Sequence, residues 1–327
     1  MKIKKLKSPS DKFDVCFPAG KNYDVVGFGM NSVDHLCVVP EYPDINTKTE
    51  IVQYKKLPGG QAATAVLLLS RLGCRAQYIG KVGDDDTGRL FLESFKSESL
   101  DISSILVEKN VPTQSAFIVI DGKSGERTIF WQRNDKLNYR RSELEMDRIC
   151  SGKILHLDGY DSRAALLAAS MCRERGIPVS IDLDKVVDDC DALIDNVDFI
   201  IVSSDFSREY TGIQDVYKSF RTLCGSFNGF LVMTVGASGA LAFVAGECLE
   251  FPGIKVQAVD TTGAGDVFHG AFIYGLLQNW SLDRIMAFSN AAAGLSCVYL
   301  GAQSGIRPMD EILECIKRNN LFPRSSF

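Results

Sequence analysis

The stretch Val259-Asp260-Thr261-Thr262-Gly263-Ala264-Gly265-Asp266-Val267-Phe268-His269-Gly270-Ala271-Phe272 constrains this chain more than any other. Ahead of it, Ile254, Val256 and Ala258 alternate with Lys255 and Gln257, the period of a strand; behind it, Val267, Phe268, Ala271, Phe272 and Tyr274 follow helical spacing. The pattern predicts a strand, a glycine turn and a helix. Gly263, Ala264 and Gly265 carry almost no side chain, so a ligand can lie against the N–H groups left unpaired where a helix begins. Such a helix start binds anions. Asp266 falls in the first helical turn, and a carboxylate beside a bound phosphate makes chemical sense as a proton acceptor. The same residues also fit an ordinary capped helix whose glycines serve packing. Two other phosphate loops are excluded: the P-loop needs Lys-Ser/Thr after its last glycine, where Asp266-Val267 stands, and the dinucleotide fingerprint needs a third glycine where Phe268 stands.

A net charge of −5 gives no broad basic field, so nucleic acid and anionic membranes are not expected partners, and small-molecule chemistry is. The ten cysteines show no CxxC pair and no Cys/His ligand spacing, and read as free thiols in a reducing, cytoplasmic setting. Lys2, Lys4, Lys5 and Lys7 are followed by Ser8-Pro9-Ser10-Asp11 rather than by the apolar run of a signal peptide, and no apolar run reaches membrane-spanning length.

Asp260-Thr261-Thr262-Gly263-Ala264-Gly265-Asp266, followed by Gly270-Ala271, resembles the C-terminal signature of the ribokinase family, the PfkB-type carbohydrate kinases. The resemblance implies that the Gly263, Ala264 and Gly265 amides hold the transferred phosphoryl group and that Asp266 is the catalytic base. It implies ATP and Mg2+ as cofactors, and a K+ ion ringed by Asp260, Thr262 and the loop from Gly301 to Gly305. The fold it implies is α/β: a ribokinase-like, doubly wound, mostly parallel sheet with helices on both faces, plus a small β-sheet lid. On this reading residues 1–22 are an N-terminal extension, 23–320 a single kinase domain with its lid at about 35–57 and 113–134, and 321–327 a tail.

The first buried strand, Asp24 to Gly29, runs toward Asn31 and Asp34, and a carboxylate past the end of such a strand holds small polar ligands or simply caps a turn. In the family the matching aspartate binds sugar hydroxyls. His35 to Val39, Glu50 to Lys56, Gln114 to Ile120 and Arg127 to Trp131 read as four lid strands, the last two joined by the turn Asp121-Gly122-Lys123-Ser124-Gly125. Phe117, Phe130 and Trp131 are more apolar surface than a small sheet leaves wet, which predicts a homodimer through the lid. Between the strand pairs, Gly59-Gly60-Gln61-Ala62-Ala63-Thr64 opens a helix that stops at Gly73 and resembles the family's N-terminal signature. Gly59, Gly60, Gln61 and Thr64 are therefore expected sugar contacts. Many members carry asparagine where Thr64 stands, and neutral Gln61 replaces the lysine typical of phosphosugar kinases, which argues against a substrate already phosphorylated.

From Lys153 onward, strands at Lys153–Leu157, Pro178–Leu183 and Phe199–Ser203 alternate with helices near Arg163–Arg175 and Asp205–Tyr210, the rhythm of a parallel sheet. Ser142 and Glu145 are spaced as a capping box. Asp182 and Asp184 follow a strand, and either hold magnesium through water, Asp184 above all, or form a turn. The family's Asn-x-x-Glu is missing near Ser203; Asp205 or Glu209 takes its place, or the nucleotide holds the metal. Thr234, Gly236 and Gly239 match the family's nucleotide turn and equally fit a hairpin into Ala240–Val244. The helix with Asn290-Ala291-Ala292-Ala293 offers a small-residue face for adenine or for tight packing.

The function expected is ATP-dependent phosphorylation of a primary hydroxyl of a small sugar. Gly125 to Ile129, His156 to Gly159 and Ser180 to Lys185 look faintly ketohexokinase-like, which favours fructose or another ketose. Arg133, just past a lid strand, would instead select a sugar acid or sulfosugar if it reaches the substrate, and Phe130 and Trp131 would suit a nucleoside. A sugar- or nucleotide-binding regulator that lost its chemistry is the alternative from another class.

Overall fold

The run Val25-Val26-Gly27-Phe28 has no surface left to expose, because β1 (Tyr23–Phe28) pairs in parallel with a strand on each side and is covered on both faces. The computed structural model describes residues 6–319 and 321. From β1 the chain enters the lid strands β2 (Ser32–Val39) and β3 (Gln53–Gly59), then returns through α1 (Gln61–Arg71) to β4 (Ala76–Ile79). It continues through β5 (Lys81–Gly83), α2 (Asp86–Ser94) and β6 (Leu106–Glu108) to the second lid pair, β7 (Ser115–Asp121) and β8 (Arg127–Gln132). The regular half runs α3 (Met146–Ile149), β9 (Gly152–Asp158), α4 (Ser162–Glu174), β10 (Val179–Leu183), α5 (Cys190–Ile194) and β11 (Phe199–Ser203). It ends with α6 (Ser204–Thr211), α7 (Val216–Leu223) and β12 (Phe230–Thr234). An edge hairpin, β13 (Gly239–Val244) and β14 (Glu247–Pro252), precedes α8 (Ala264–Leu277), α9 (Leu282–Ser296) and α10 (Met309–Arg318).

The main sheet has the order β14-β13-β12-β11-β10-β9-β1-β4, parallel from β4 to β12 and antiparallel at the hairpin edge. One face packs on α1, α8, α9 and α10, the other on α3 to α7, so the doubly wound, ribokinase-like architecture is the one observed. The switch in strand direction of travel at β1 and β9 opens a crevice at the carboxyl ends of the parallel strands, where Asn31, Asp158, Asp182 and Asp184 gather.

The lid is a separate sheet of order β3-β2-β7-β8. Leu36, Ala116, Ile118 and Ile120 form its inner core against Leu300, as the alternation of β7 requires. Phe117 and Phe130 are exposed register partners, while Trp131 points the other way, its ring 5.9 Å from Tyr160 and 4.9 Å from the Lys185 ammonium.

Two sequence expectations change, for residues 254–258 and for Ser142–Glu145. Residues 6–22, expected as an N-terminal extension, pack on the domain: Leu6 and Phe13 are core residues, Phe13 stacking edge-on with Phe199, Phe230 and Phe272. Ile254 to Ala258 form no strand; the chain leaves the sheet after β14, and the Val259 and Asp260 amides donate to the Cys297 carbonyl instead. Ile254 owes its burial to packing over Gly294 of α9. The Ser142–Glu145 capping box is absent, and it is Glu143 that accepts from the Arg140 amide. Of the expected tail, residues 322–327 lie outside the described residues.

Candidate active site

Gly263 begins the site. Its φ of 79° and the contact at 2.4 Å that a Cβ would make with Ala302 leave room for glycine alone, and this bend turns the chain into α8. Asp260 fixes the bend from beneath. Buried, it accepts from the Thr262 amide at 2.9 Å and from the Gly301 amide at 2.8 Å, joining the turn to the 301–305 loop. Gly265 faces open space. Among the described residues the Gly263, Gly265 and Asp266 amides have no protein partner, whereas Ala264 donates at 3.3 Å to the Thr261 carbonyl. The amides left free for an anion are therefore those of Gly263, Gly265 and Asp266, and Ala264 of the expected trio is not among them.

Asp266 stands at the rim of this cradle, half-buried. Desolvation first, then the carboxylates of Asp182, Asp184 and Asp34, push its pKa well above the usual range, while Arg127 pulls it down. Asp34 is buried on β2, bonded by the Ser32 hydroxyl at 2.7 Å and raised to about 6 by burial, with Asp260 adding to the rise. A carboxylate that titrates high beside a second acid and a shared cation is chemically able to accept a proton from an alcohol.

Gly59 backs onto Asp34, since a Cβ there would lie 2.2 Å from Oδ2, and Gly60, at φ 101°, is wedged against Asn31. Gln61, the first residue of α1, directs its side chain to Asp184. Thr64 departs from expectation: it is wholly inaccessible, with no partner for its hydroxyl, because α1 is buried on all sides. Arg133 donates to Asn138 and lines a cleft with Asn31, Lys81, Gln114 and Tyr160. Lys81 is neutralised there by Glu108 at 2.6 Å and Glu143 at 3.0 Å.

On the side expected for the nucleotide, Thr234 ends β12 and Gly236, at φ 59°, is exposed, with open space where a Cβ would stand. Gly239 and Asn290 both make structural contacts. A Cβ on Gly239 would strike the Phe251 carbonyl at 2.2 Å, and the Asn290 amide donates to the Phe251 and Pro252 carbonyls at 2.9 and 3.1 Å. Asp184 is exposed at the end of β10, with Glu209 beside it, held by the Val186 amide at 3.0 Å, while Asp205 turns to Arg208. A pair of carboxylates of this kind suits a hydrated hard cation. The buried, unpartnered Thr262 Oγ1 in the Asp260 turn suits a monovalent one.

Sequence reasoning missed Asp158 and Arg127. Asp158 is buried under the crevice, accepting from the Met30 amide at 2.5 Å and the Tyr160 amide at 3.1 Å, and is raised to about 7 by desolvation. The only hint was an acid at a strand end. Arg127 reaches Thr261 from the lid, a meeting no local pattern announces.

The chain matches the family model described as pfkB family carbohydrate kinase over residues 24–308. It is 26% identical over 304 residues to a nucleoside kinase of Methanothermobacter thermautotrophicus, covering 89% of this chain and 94% of that one. It is 26% identical over 327 aligned positions to fructokinase-1 of Oryza sativa subsp. japonica, covering 91% and 99%. Arabidopsis thaliana ribokinase, solved in complex with ribose and ATP, shares the fold with a TM-score of 0.74 at 20% identity, over 90% of this chain and 99% of that one. With a family match that spans nearly the whole crevice-bearing chain, this protein belongs to the pfkB family of carbohydrate kinases and is an ATP-dependent phosphotransferase.

Proposed function

We propose that the chain transfers the terminal phosphoryl group of ATP to a primary hydroxyl of a small sugar, a ketohexose such as fructose foremost. The observation that carries this is the juxtaposition of unpaired amides at Gly263 and Gly265 with the desolvated carboxylate of Asp266. Asp266 takes the proton of the hydroxyl as it attacks, the α8 amides hold the phosphoryl oxygens, and Asp34 orients the sugar, backed by Gly59 and Gly60. The nucleotide phosphates lie along the Thr234–Gly236 turn. Asp184, with Glu209, would hold magnesium through its waters, where the ion neutralises charge on the nucleotide; Asp260, Thr262 and the 301–305 loop would hold a potassium ion that stiffens the turn. The similarity to rice fructokinase-1 supports the ketose.

Arg133 on the cleft supports a second acceptor class, a sugar acid or sulfosugar, since its guanidinium is the cation there not already matched by two carboxylates. A nucleoside acceptor has the support of the Methanothermobacter relative. The test is ADP release with a panel of ketoses, aldoses, sugar acids and nucleosides. Fructose is expected to give the highest kcat/KM; a preference for sugar acids that Arg133→Ala abolishes would move the assignment to the second class.

The exposed Phe117–Phe130 pair supports a homodimer through the lid, tested by sedimentation of the wild type against Phe117→Ser/Phe130→Ser. Free thiols at all ten cysteines suit the cytoplasm.

A further inference from the structure

His269 lies three residues beyond Asp266 on α8, hence close to the same face and one turn deeper. Its Nε2 is 3.1 Å from Asp182 Oδ1 at the end of β10, and both side chains are almost fully buried. Nothing in the phosphoryl-transfer scheme uses either group. Burial pushes the imidazole down to about 3, so the contact joins a neutral ring to a carboxyl group.

The cost of keeping a histidine here is evident. Its Nδ1 has no hydrogen-bond partner among the described residues, and the ring of His156 lies 5.6 Å away. Buried polar atoms of this kind are expensive, and an aliphatic side chain at 269 would avoid the expense. What the histidine adds is direction. The rest of α8 is held by Val267, Phe268, Ala271, Phe272, Ile273 and Leu276, all buried, and by the close approach of Ala65 of α1 to Gly270. Apolar contacts of this sort are non-directional one by one and hold the helix to the sheet through their sum. The 3.1 Å contact of Nε2 with Asp182 Oδ1 adds a polar tie from the first two turns of α8 to β10.

We propose that the buried polar contact between His269 and Asp182 sets the position of Asp266 over the sugar site, which makes His269 a positioning residue for phosphoryl transfer. The proposal rests on Asp266 being the base, as proposed above. A displacement of about 1 Å at a reacting group costs on the order of a hundredfold in rate, and the effect falls on kcat because substrate contacts elsewhere are intact.

The experiment compares His269→Gln, His269→Asn and His269→Leu by steady-state kinetics, with the Tm of each variant measured alongside. The terminal amide of glutamine occupies the place of Nε2, whereas that of asparagine occupies the place of Nδ1. We expect His269→Gln to keep kcat within about threefold of wild type, while His269→Asn and His269→Leu lose roughly thirtyfold to a hundredfold, with KM for sugar and ATP changed by less than about threefold. Full kcat in His269→Leu, with or without a change in Tm, would overturn the proposal, as would a His269→Gln as slow as His269→Leu. Asp266→Asn is run in parallel: if it retains activity, the base assignment fails; if it is inactive while His269→Leu is not, only the positioning role fails.

Discussion

Arg127, the first residue of β8, donates to Thr261 Oγ1 at 2.5 Å, so one side chain joins the lid to the anion turn. The same hairpin touches the same segment a second time, through the close approach of Gly125 to the Ala258 carbonyl. The guanidinium also pulls down the pKa values of both Asp34 and Asp266. Arg127→Ala is expected to lower kcat by about a hundredfold, the scale for losing one preorganised donor beside developing charge. Arg127→Lys should recover little of it, since an ammonium cannot reproduce the fork. Steady-state kinetics with saturating ATP decide the point.

Asp266→Asn keeps the shape of the first turn of α8 and removes the proton acceptor. Turnover should fall by about three to four orders of magnitude, while calorimetry shows sugar and ATP binding within a few-fold of wild type. An unchanged kcat would take Asp266 out of the mechanism. Because burial and neighbouring carboxylates raise its pKa, the rate of the wild type should climb with pH as the base ionises, and the ascending limb should sit above the ordinary carboxylate range.

The two glycines of the turn should fail differently. Gly263→Ala meets both a positive φ and the Ala302 side chain, and is expected to cost roughly 1–3 kcal/mol of stability. Gly265→Ala has open space and ordinary helical geometry, so its Tm should stay at the wild-type value while the added methyl obstructs the phosphoryl group and kcat drops. Paired thermal melts and ADP-release assays separate the two; a Gly265→Ala enzyme with full activity would show that the phosphoryl group does not approach there.

Asp34 links the site to stability through pH. Its pKa rises from the ordinary 3.8 to about 6 on folding, so the folded state holds its proton more tightly, and the stability this gives is complete below pH 3.8 and lost as pH passes through about 6. Asp34→Asn removes that loss. The variant should gain up to about 3 kcal/mol over wild type near pH 8 and little near pH 4, measured by urea denaturation at both. A gain independent of pH would mean that ionisation is not the cause.

What the sequence makes legible is what neighbours in the chain decide. The Gly263 turn, the helix behind it, the Gly60 start of α1 and the lid hairpin at Asp121–Gly125 are local devices, and each occurs where its residues predict. Ile254 to Ala258 shows the limit: alternation reports two environments on two sides, and packing over α9 produces it without a ladder. Asn290 is the same lesson for polar groups, because its small-residue neighbours suggest a ligand while its amide is spent on two carbonyls of β14. Asp158, His269 and Arg127 acquire their partners only when distant strands and the lid close together, so nothing beside them in the chain discloses a role.

The packing of Phe13 against rings from β11, β12 and α8, with the Lys12–Ser281 bridge beyond it, has a consequence for synthesis. Phe13 finds its seat only after β11, β12 and α8, far along the chain, have been made. A nascent chain must therefore wait with those aromatic groups unsheltered, and loss of the Lys12–Phe13 segment would strip a seal from the base of the sheet.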